Sequence, residues 1–233
     1  MDVLARLDEA RAAINVLEHP FYQRWSAGEL SAGELDLYAG EYRRAVQALA
    51  DASALAAERA SALGAGTDEA AELSVGLRRH AEEEAAHVAL WEQFELSAAA
   101  SSRSSAGSTS ALPLSGELEQ TRACVRAWTA GESLLEHLAV LYAIEAGQPE
   151  ISTTKIRGLS EHYGYSAEGP ATEYFRLHEL RDVEHAREAR ALIARLIADS
   201  EDPDADAGRM VARAREALRG NWLLLDGVEA AAA

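Results

Sequence analysis

Apolar positions recur along this chain at helical spacing rather than in alternation. Apolar residues at 3, 4, 7, 14 and 17 mark a first helix over about 2–17. His19-Pro20 breaks it, because the residue before a proline avoids the helical region. Phe21, Tyr22 and Trp25 follow as an aromatic cluster suited to a core. Ser31 and Glu34 have the spacing of a capping box and open a helix that runs to about Arg59. Gly64-Ala65-Gly66 ends that region, and Thr67 caps the next helix, expected to reach about Phe94. Helices resume near Glu117 and run to about Ala146, then over about 151–164, from near Pro170 through Ile197, and over about 206–224. Gly147-Gln148-Pro149 and Glu201-Asp202-Pro203-Asp204 punctuate them. No stretch of any length alternates as a strand would, and no internal repeat is visible. The expectation is an all-α bundle of seven helices in one domain over 1–233. Residues 97–116, SAAASSRSSAGSTSALPLSG, are small, polar and of low complexity, and read as a mobile loop.

Composition narrows the classes of function. Hydrophobic residues make up 48% of the chain but aromatics only 6%, so the apolar content is mostly Ala and Leu, which suits helix. The formal net charge of −17 argues against nucleic acid and anionic membrane surfaces as partners, since both need clustered Lys and Arg. The single cysteine, Cys124, rules out a disulfide within one chain. No run approaches the ~18 apolar residues of a membrane span, and Met1-Asp2-Val3-Leu4 does not open a signal peptide, so the expected location is the cytoplasm.

Three groups of residues carry candidate chemistry. In YFRLHELRDVEHAREARALI, residues 174–193, His178, Asp182 and His185 fall at i, i+4 and i+7 and so share a narrow arc of one helix. Ala189 and Leu192 lie on the same face, which points it inward. Three polar groups on a buried stripe are costly unless something satisfies them, and imidazole with carboxylate suits iron, manganese or zinc. In HAEEEAAHVALW, residues 80–91, Glu84 stands at i−3 from His87, with Glu83 at i−4 and His80 at i−7. A Glu-x-x-His pair on one helix is the bundle-core pattern of carboxylate-bridged di-metal proteins. Glu145 ends an apolar run, LAVLYAIEAG, and Glu is seldom buried unpaired. The competing reading of each group is an exposed charged face or helix end. Taken together they supply three histidines and three carboxylates from three helices, enough for two metals.

Four segments carry a resemblance. HPFYQRWSAGELS, YAIEAGQPEISTTKIRGL, YFRLHELRDVEHA and NWLLLDGV resemble the haem-oxygenase-like di-iron oxidases, the superfamily that includes the TenA and PqqC proteins. The branch they resemble is that of the chlamydial proteins associating with death domains and their bacterial relatives. The resemblance covers nearly the whole chain outside the Ser-rich stretch. It implies a seven-helix haem-oxygenase-like fold that binds non-haem iron and not haem. The family's middle-helix carboxylate falls on Glu145, its His-x3-Asp-x2-His set on His178, Asp182 and His185, and its histidine before Leu-Trp on His87. For the partner carboxylate, ungapped alignment puts His80 at the Glu position, whereas a shorter helix segment uses Glu84 or, second, Glu83. His80 is then an outer group or a replacement ligand.

In that branch a tyrosine and a lysine of the protein itself are implicated in making para-aminobenzoate. Lys155, ten residues after Glu145, matches the lysine's place and stands out in an Arg-rich chain with very few lysines; Tyr22 is the candidate tyrosine, with Tyr42 as the alternative. The TenA branch needs a nucleophilic cysteine, but Cys124 reads as a small buried hydrophobe. The resemblance thus implies an enzyme holding two Fe(II) ions, or Fe with Mn, that activates O2. Its substrate would be an amino acid, an amine, a fatty acid or a side chain of its own, and a homodimer is expected from the resemblance alone. A self-sacrificing para-aminobenzoate synthase, a cofactor-free oxidase and a non-catalytic interaction or regulatory protein on the same fold stand as alternatives.

Overall fold

The computed structural model describes residues 2–62, 68–105 and 117–232, and among these it holds nine α-helices and no strand. They are α1 (Val3–Ala13), α2 (Pro20–Ala27), α3 (Ala32–Ala62), α4 (Asp68–Ser105), α5 (Glu119–Thr129), α6 (Leu134–Glu145), α7 (Gln148–Glu161), α8 (Glu173–Ala198) and α9 (Pro203–Ala232). Short 3-10 turns at Val16–Glu18 and Pro170–Thr172 lead into α2 and α8.

The count rises from the seven expected helices to nine for two local reasons. The first expected helix stops earlier than 17, at Ala13, and Pro20 starts a helix of its own: its fixed φ suits the first helical position, and the His19 ring caps it by accepting the Phe21 N–H at 3.0 Å. The expected helix over 117–146 is divided at 130–133. There Ser133 caps α6 by accepting the Glu136 N–H, while the Glu136 carboxylate accepts the N–H of Glu132. The expected loop over 97–116 is corrected at its start. Residues 97–105 continue α4, because alanine-rich sequence costs little in a helix and Ala98 is fully buried. Ser97 and Ser104 turn their hydroxyls back to carbonyls one turn earlier, so their polarity is satisfied without leaving the helix. Residues 106–116 lie outside the described residues, as do Gly64-Ala65-Gly66 and Thr67. The Ser31/Glu34 capping box forms as expected, with reciprocal bonds of 2.8 and 3.2 Å.

Two packing relations position the site. Long α3 and α4 run antiparallel: Arg43 meets Glu92, Ala39 meets Trp91, and at the other end Ser61 meets Ser74. Inside this pair α6 is the central helix. Its residues are almost all buried, as expected for a helix apolar on every side, and it packs against α3, α8 and α9. A network on the flank ties α1, α6 and α8 together, with Arg190 and the Tyr142 hydroxyl both on Asp8 at 2.7 and 2.5 Å. Arg11 closes the C-terminal end of α6 with a 2.6 Å bond to the Ala146 carbonyl. No helix among the described residues is long and apolar enough to cross a membrane.

Helix α7 approaches α2 so closely that one position must lack a side chain. A Cβ on Gly158 would stand 2.5 Å from the Trp25 indole, which is fully buried and donates to the Lys155 carbonyl. The Gly158→Ala variant is therefore expected to lose about 1–3 kcal/mol, despite alanine's better helix propensity, read as a lower midpoint in chemical unfolding.

Candidate metal centre

One stripe of α4 organises the site. Leu73, Leu77, His80, Glu84, His87, Trp91, Phe94 and Ala98 succeed one another at steps of four and three residues, which keeps them on one inward face of the helix. The stripe begins apolar, turns to metal-type ligands over 80–87, and turns aromatic from 91.

At the middle of the stripe, side chains from three helices converge. Glu84 and His87 from α4, Glu145 from α6, and His178, Asp182 and His185 from α8 are all buried, between 0% and 6% exposed. His80 joins them, its side chain 14% exposed. The structure thus brings together all six residues expected from the sequence, and with them His80, the outer group or replacement ligand of the sequence reading. Two groups have ligand atoms within 4.8 Å of one another: His80, Glu84, Glu145 and His185 in one, Glu84, His87 and His178 in the other. Glu84 belongs to both. Asp182 lies beside them, its Oδ1 3.4 Å from His185 Nδ1.

The histidines are oriented from behind. His178 Nδ1 donates to the Tyr174 carbonyl at 2.7 Å, which turns its Nε2 toward Glu84, 3.9 Å away. His185 Nε2 bonds to Glu83 at 3.3 Å, and Glu83 is held in turn by Arg181 at 2.5 Å. The two candidate glutamates therefore have different places. Glu84 faces inward among the histidines, and Glu83 stands at the rim behind one of them.

Apart from His80 Nε2 and Glu145 Oε1, 2.9 Å apart, many facing atoms inside the cluster are unpaired. Glu84 Oε1, His87 Nδ1, His178 Nε2, His185 Nδ1 and both Asp182 oxygens are buried and make no hydrogen bond. Orphaned acceptors and lone pairs at such density are what a cation would satisfy, so the residues present fit a metal. The electrostatics agree. Burial works against the charge on Glu84, yet His178 and His87 hold its carboxyl well below the usual range. Burial alone would depress His80, but Glu145, Glu84 and Asp182 outweigh it and raise it to about 9. Glu145 is the last residue of α6, where the negative end of the helix dipole opposes another negative charge. The cluster demands positive charge from every side.

Two compartments flank it. Toward the start of the stripe is a cavity of about 500 Å³ with walls of Leu73, Leu77, Leu138, Leu141 and Leu192, where His80, Glu145 and His185 form a polar end. Toward the other end is a closed aromatic box around Lys155, the only lysine in the 233 residues. Its Nζ lies 4.7 Å from the ring centre of Tyr42, 5.1 Å from Phe175, 5.4 Å from Trp91, and 5.6 Å from both Tyr22 and Tyr38. The Tyr22 and Tyr38 hydroxyls are hydrogen-bonded at 3.0 Å. Tyr174 links box to cluster: its ring contacts Trp91 and stacks on His178 at 3.9 Å. Tyr38 and Tyr174 were not among the residues singled out from the sequence. Each sits one helical turn before a residue that was, Tyr42 and His178, and that i, i+4 spacing was the available signal. Cys124 is fully buried on α5, outside both ligand groups, and burial pushes its thiol up.

Residues 79–221 match the family described as iron-containing redox enzymes. The chain is 34% identical over 214 residues to a 4-aminobenzoate synthase of Chlamydia muridarum, covering 91% of this chain and 86% of that one. It is 30% identical over 230 residues to a 4-aminobenzoate synthase of Nitrosomonas europaea, covering 96% and 89%. A TenA homologue from Pseudomonas syringae has the same fold, with a TM-score of 0.76 over 98% of this chain and 91% of that one at 16% identity. So does a haem-oxygenase-like chain from Shewanella denitrificans, with a TM-score of 0.69 over 99% and 93%, also at 16% identity. The protein belongs to the iron-containing redox enzymes of haem-oxygenase-like fold. Within that class its curated relatives are the 4-aminobenzoate synthases of chlamydiae and of Nitrosomonas.

The aromatic box makes a stability prediction. Burial pulls the Lys155 ammonium down to about 7. The unfolded chain holds that proton up to the ordinary lysine range near ~10.4. The penalty for burying the charge is therefore complete below pH 7 and fades as pH rises from 7 toward that range. Lys155→Met is expected to raise the urea midpoint, by about 2–4 kcal/mol of stability below pH 7 and progressively less above it.

Proposed function

We propose that this chain is a di-metal, O2-dependent oxidase of the 4-aminobenzoate synthase kind, which makes its product from its own Tyr22 ring and Lys155 nitrogen. The observation that carries this reading is the place of Lys155. The sole lysine of the chain is buried in a cage of tyrosines that adjoins the His/carboxylate cluster, where an ordinary structural lysine would be at the surface.

The chemistry sets what each residue must do. Compared with a tyrosine side chain, 4-aminobenzoate has lost the Cα–Cβ bond, carries Cβ as a carboxyl group and bears an amine where the phenol oxygen stood. Breaking that bond and raising Cβ to a carboxyl is an oxidation, with dioxygen as the electron acceptor; the phenol oxygen leaves as water, and the nitrogen is freed from lysine by oxidation of Cε–Nζ to an imine whose hydrolysis leaves an aldehyde on Cε. Two iron ions, or iron with manganese, held by Glu84, His87, Glu145, His178, Asp182 and His185, would supply the activation of dioxygen. The protein's own residues do the rest. The box excludes water and brings the Lys155 ammonium down to about 7, so that roughly half of the amine is neutral at pH 7, the form that can attack carbon. The Tyr38 hydroxyl, 3.0 Å from the Tyr22 hydroxyl, hydrogen-bonds that phenol and orients its ring. Tyr42, whose ring is nearest to Lys155 Nζ, is the alternative carbon source.

A second reading draws on the apolar cavity. Because it reaches the cluster at His80, Glu145 and His185, an external amine or fatty-acid-like molecule could be oxidised from that side. One experiment separates the two. Protein made with ε-15N-lysine is labelled at a single side chain, so after anaerobic loading with Fe(II) and Mn(II) and exposure to O2 the origin of the product nitrogen is unambiguous. Expected is at most one equivalent of 15N-labelled 4-aminobenzoate per chain, lost in Lys155→Arg and in Tyr22→Phe. Unlabelled product, or multiple turnover by Lys155→Arg, would overturn the self-consuming reading in favour of the external substrate.

A further inference from the structure

The structure assigns a direct metal-ligand role to His80, so that this centre is built from four histidines and three carboxylates with Glu84 bridging its halves. The inference rests on the two-metal reading above and adds to it the one buried-cluster residue that reading leaves without a task.

Three observations carry it. First, His80 occupies a position on the α4 stripe equivalent to those of Glu84 and His87, one turn earlier, so its side chain leaves the helix toward the same gap. Second, it converges there. A ring nitrogen of His80 lies within 4.8 Å of the ligand atoms of Glu84, Glu145 and His185. Its Nε2 is 2.9 Å from Glu145 Oε1, and its ring meets the His185 ring edge-on at 4.4 Å. Third, the positions behind His178 and His185 are already taken. The Tyr174 carbonyl stands behind His178, and Glu83 with Arg181 stands behind His185. His80 is on the inner side of the cluster, facing its members.

Donor numbers favour the same assignment. Without His80, the first group offers only Glu84, Glu145 and His185. A divalent transition ion takes at least four donors, and even a catalytic zinc site keeps three protein ligands and one open position. With His80 the first group has four. The second has His87, His178 and the shared Glu84, with Asp182, both of whose oxygens are unpaired, at hand. A neutral imidazole in this place also removes one negative charge from a site already crowded with carboxylates, and it tilts the first group toward iron over manganese, which prefers oxygen donors.

The test uses metal content and coordination rather than turnover. Wild type and His80→Ala are loaded anaerobically with Fe(II), desalted and analysed for metal, and imidazole scattering is counted by X-ray absorption; circular dichroism checks the helices. His80→Ala is expected to lose the second equivalent, with at least about a tenfold weaker affinity for it. Millimolar imidazole, admitted through the apolar cavity that His80 lines, is expected to restore it. His80→Glu, a variant that keeps a donor, is expected to hold two ions with a larger manganese share when both metals compete. If wild type binds two ions and His80→Ala also binds two with unchanged affinity and imidazole count, His80 is not a ligand and the two-metal reading stands. If wild type itself binds less than about half an equivalent, the two-metal reading falls and this inference with it. Loss of the second ion that imidazole fails to restore, with two ions also lost in His80→Glu, assigns His80 a structural role and overturns the proposal.

Discussion

The burial of three carboxylates among four histidines is the constraint on which the rest of this structure depends. Glu84, Glu145 and Asp182 are each no more than 2% exposed; Glu84 and Glu145 bring oxygens within 4.8 Å of each other, and Asp182 is near enough to be affected by both charges. Like charges so placed repel strongly in a medium of low polarizability. The fold can hold them only where positive charge is also available, and the histidines are placed to meet that need or to share it with metal ions; the protonation of His80, His178 and His185 is favoured by these neighbours. Much of the architecture serves to keep this arrangement rigid. The cross-links of Asp8 with Tyr142 and Arg190, and of Arg11 with the end of α6, lock the central helix against α1 and α8. Glu83 and the Tyr174 carbonyl then fix the rings of His185 and His178.

A single helical stripe arranges the chemistry in order. Along α4, apolar residues come first, ligands follow, and aromatic residues end the sequence. The metal-type cluster therefore has two unlike neighbours, a cavity on one side and the sealed lysine–tyrosine box on the other. The cluster thus lies between space for an incoming molecule on one side and the protein's own rings on the other. The box is a demanding environment. It strips the lysine of water and offers only aromatic faces in return, and these offset part of the lost hydration of a cation. Burying the chain's sole lysine there costs stability.

Much of the fold and of the cluster was legible from residue spacing. The stripe His178, Asp182, His185 and the pair Glu84, His87 follow from helical geometry, because residues on one helix share a face whatever the tertiary structure does. The Ser31/Glu34 cap was legible for the same local reason. The expectations that needed correction were those decided by packing. Residues 97–105 look like loop by composition, yet they are helix because Ala98 finds a core to enter. The division of the 117–146 helix is set by the competing cap at Ser133, which spacing alone did not weigh.

By itself, the sequence determined the helical class, the faces on which ligands lie, and the family to which the chain belongs. These depend on local periodicity and on motifs read along one segment at a time. Only the tertiary structure decided which glutamate turns inward, that His80 joins the cluster from the end opposite His87, and that Lys155 sits in a cage built from four helices. Each of these is a relation between segments distant in the chain: Glu84 differs from Glu83 only by which side of α4 meets α8, and His80 acquires its partner from α6, 65 residues away. Neighbours of that kind are chosen by how the helices pack, and no spacing within a single helix encodes them.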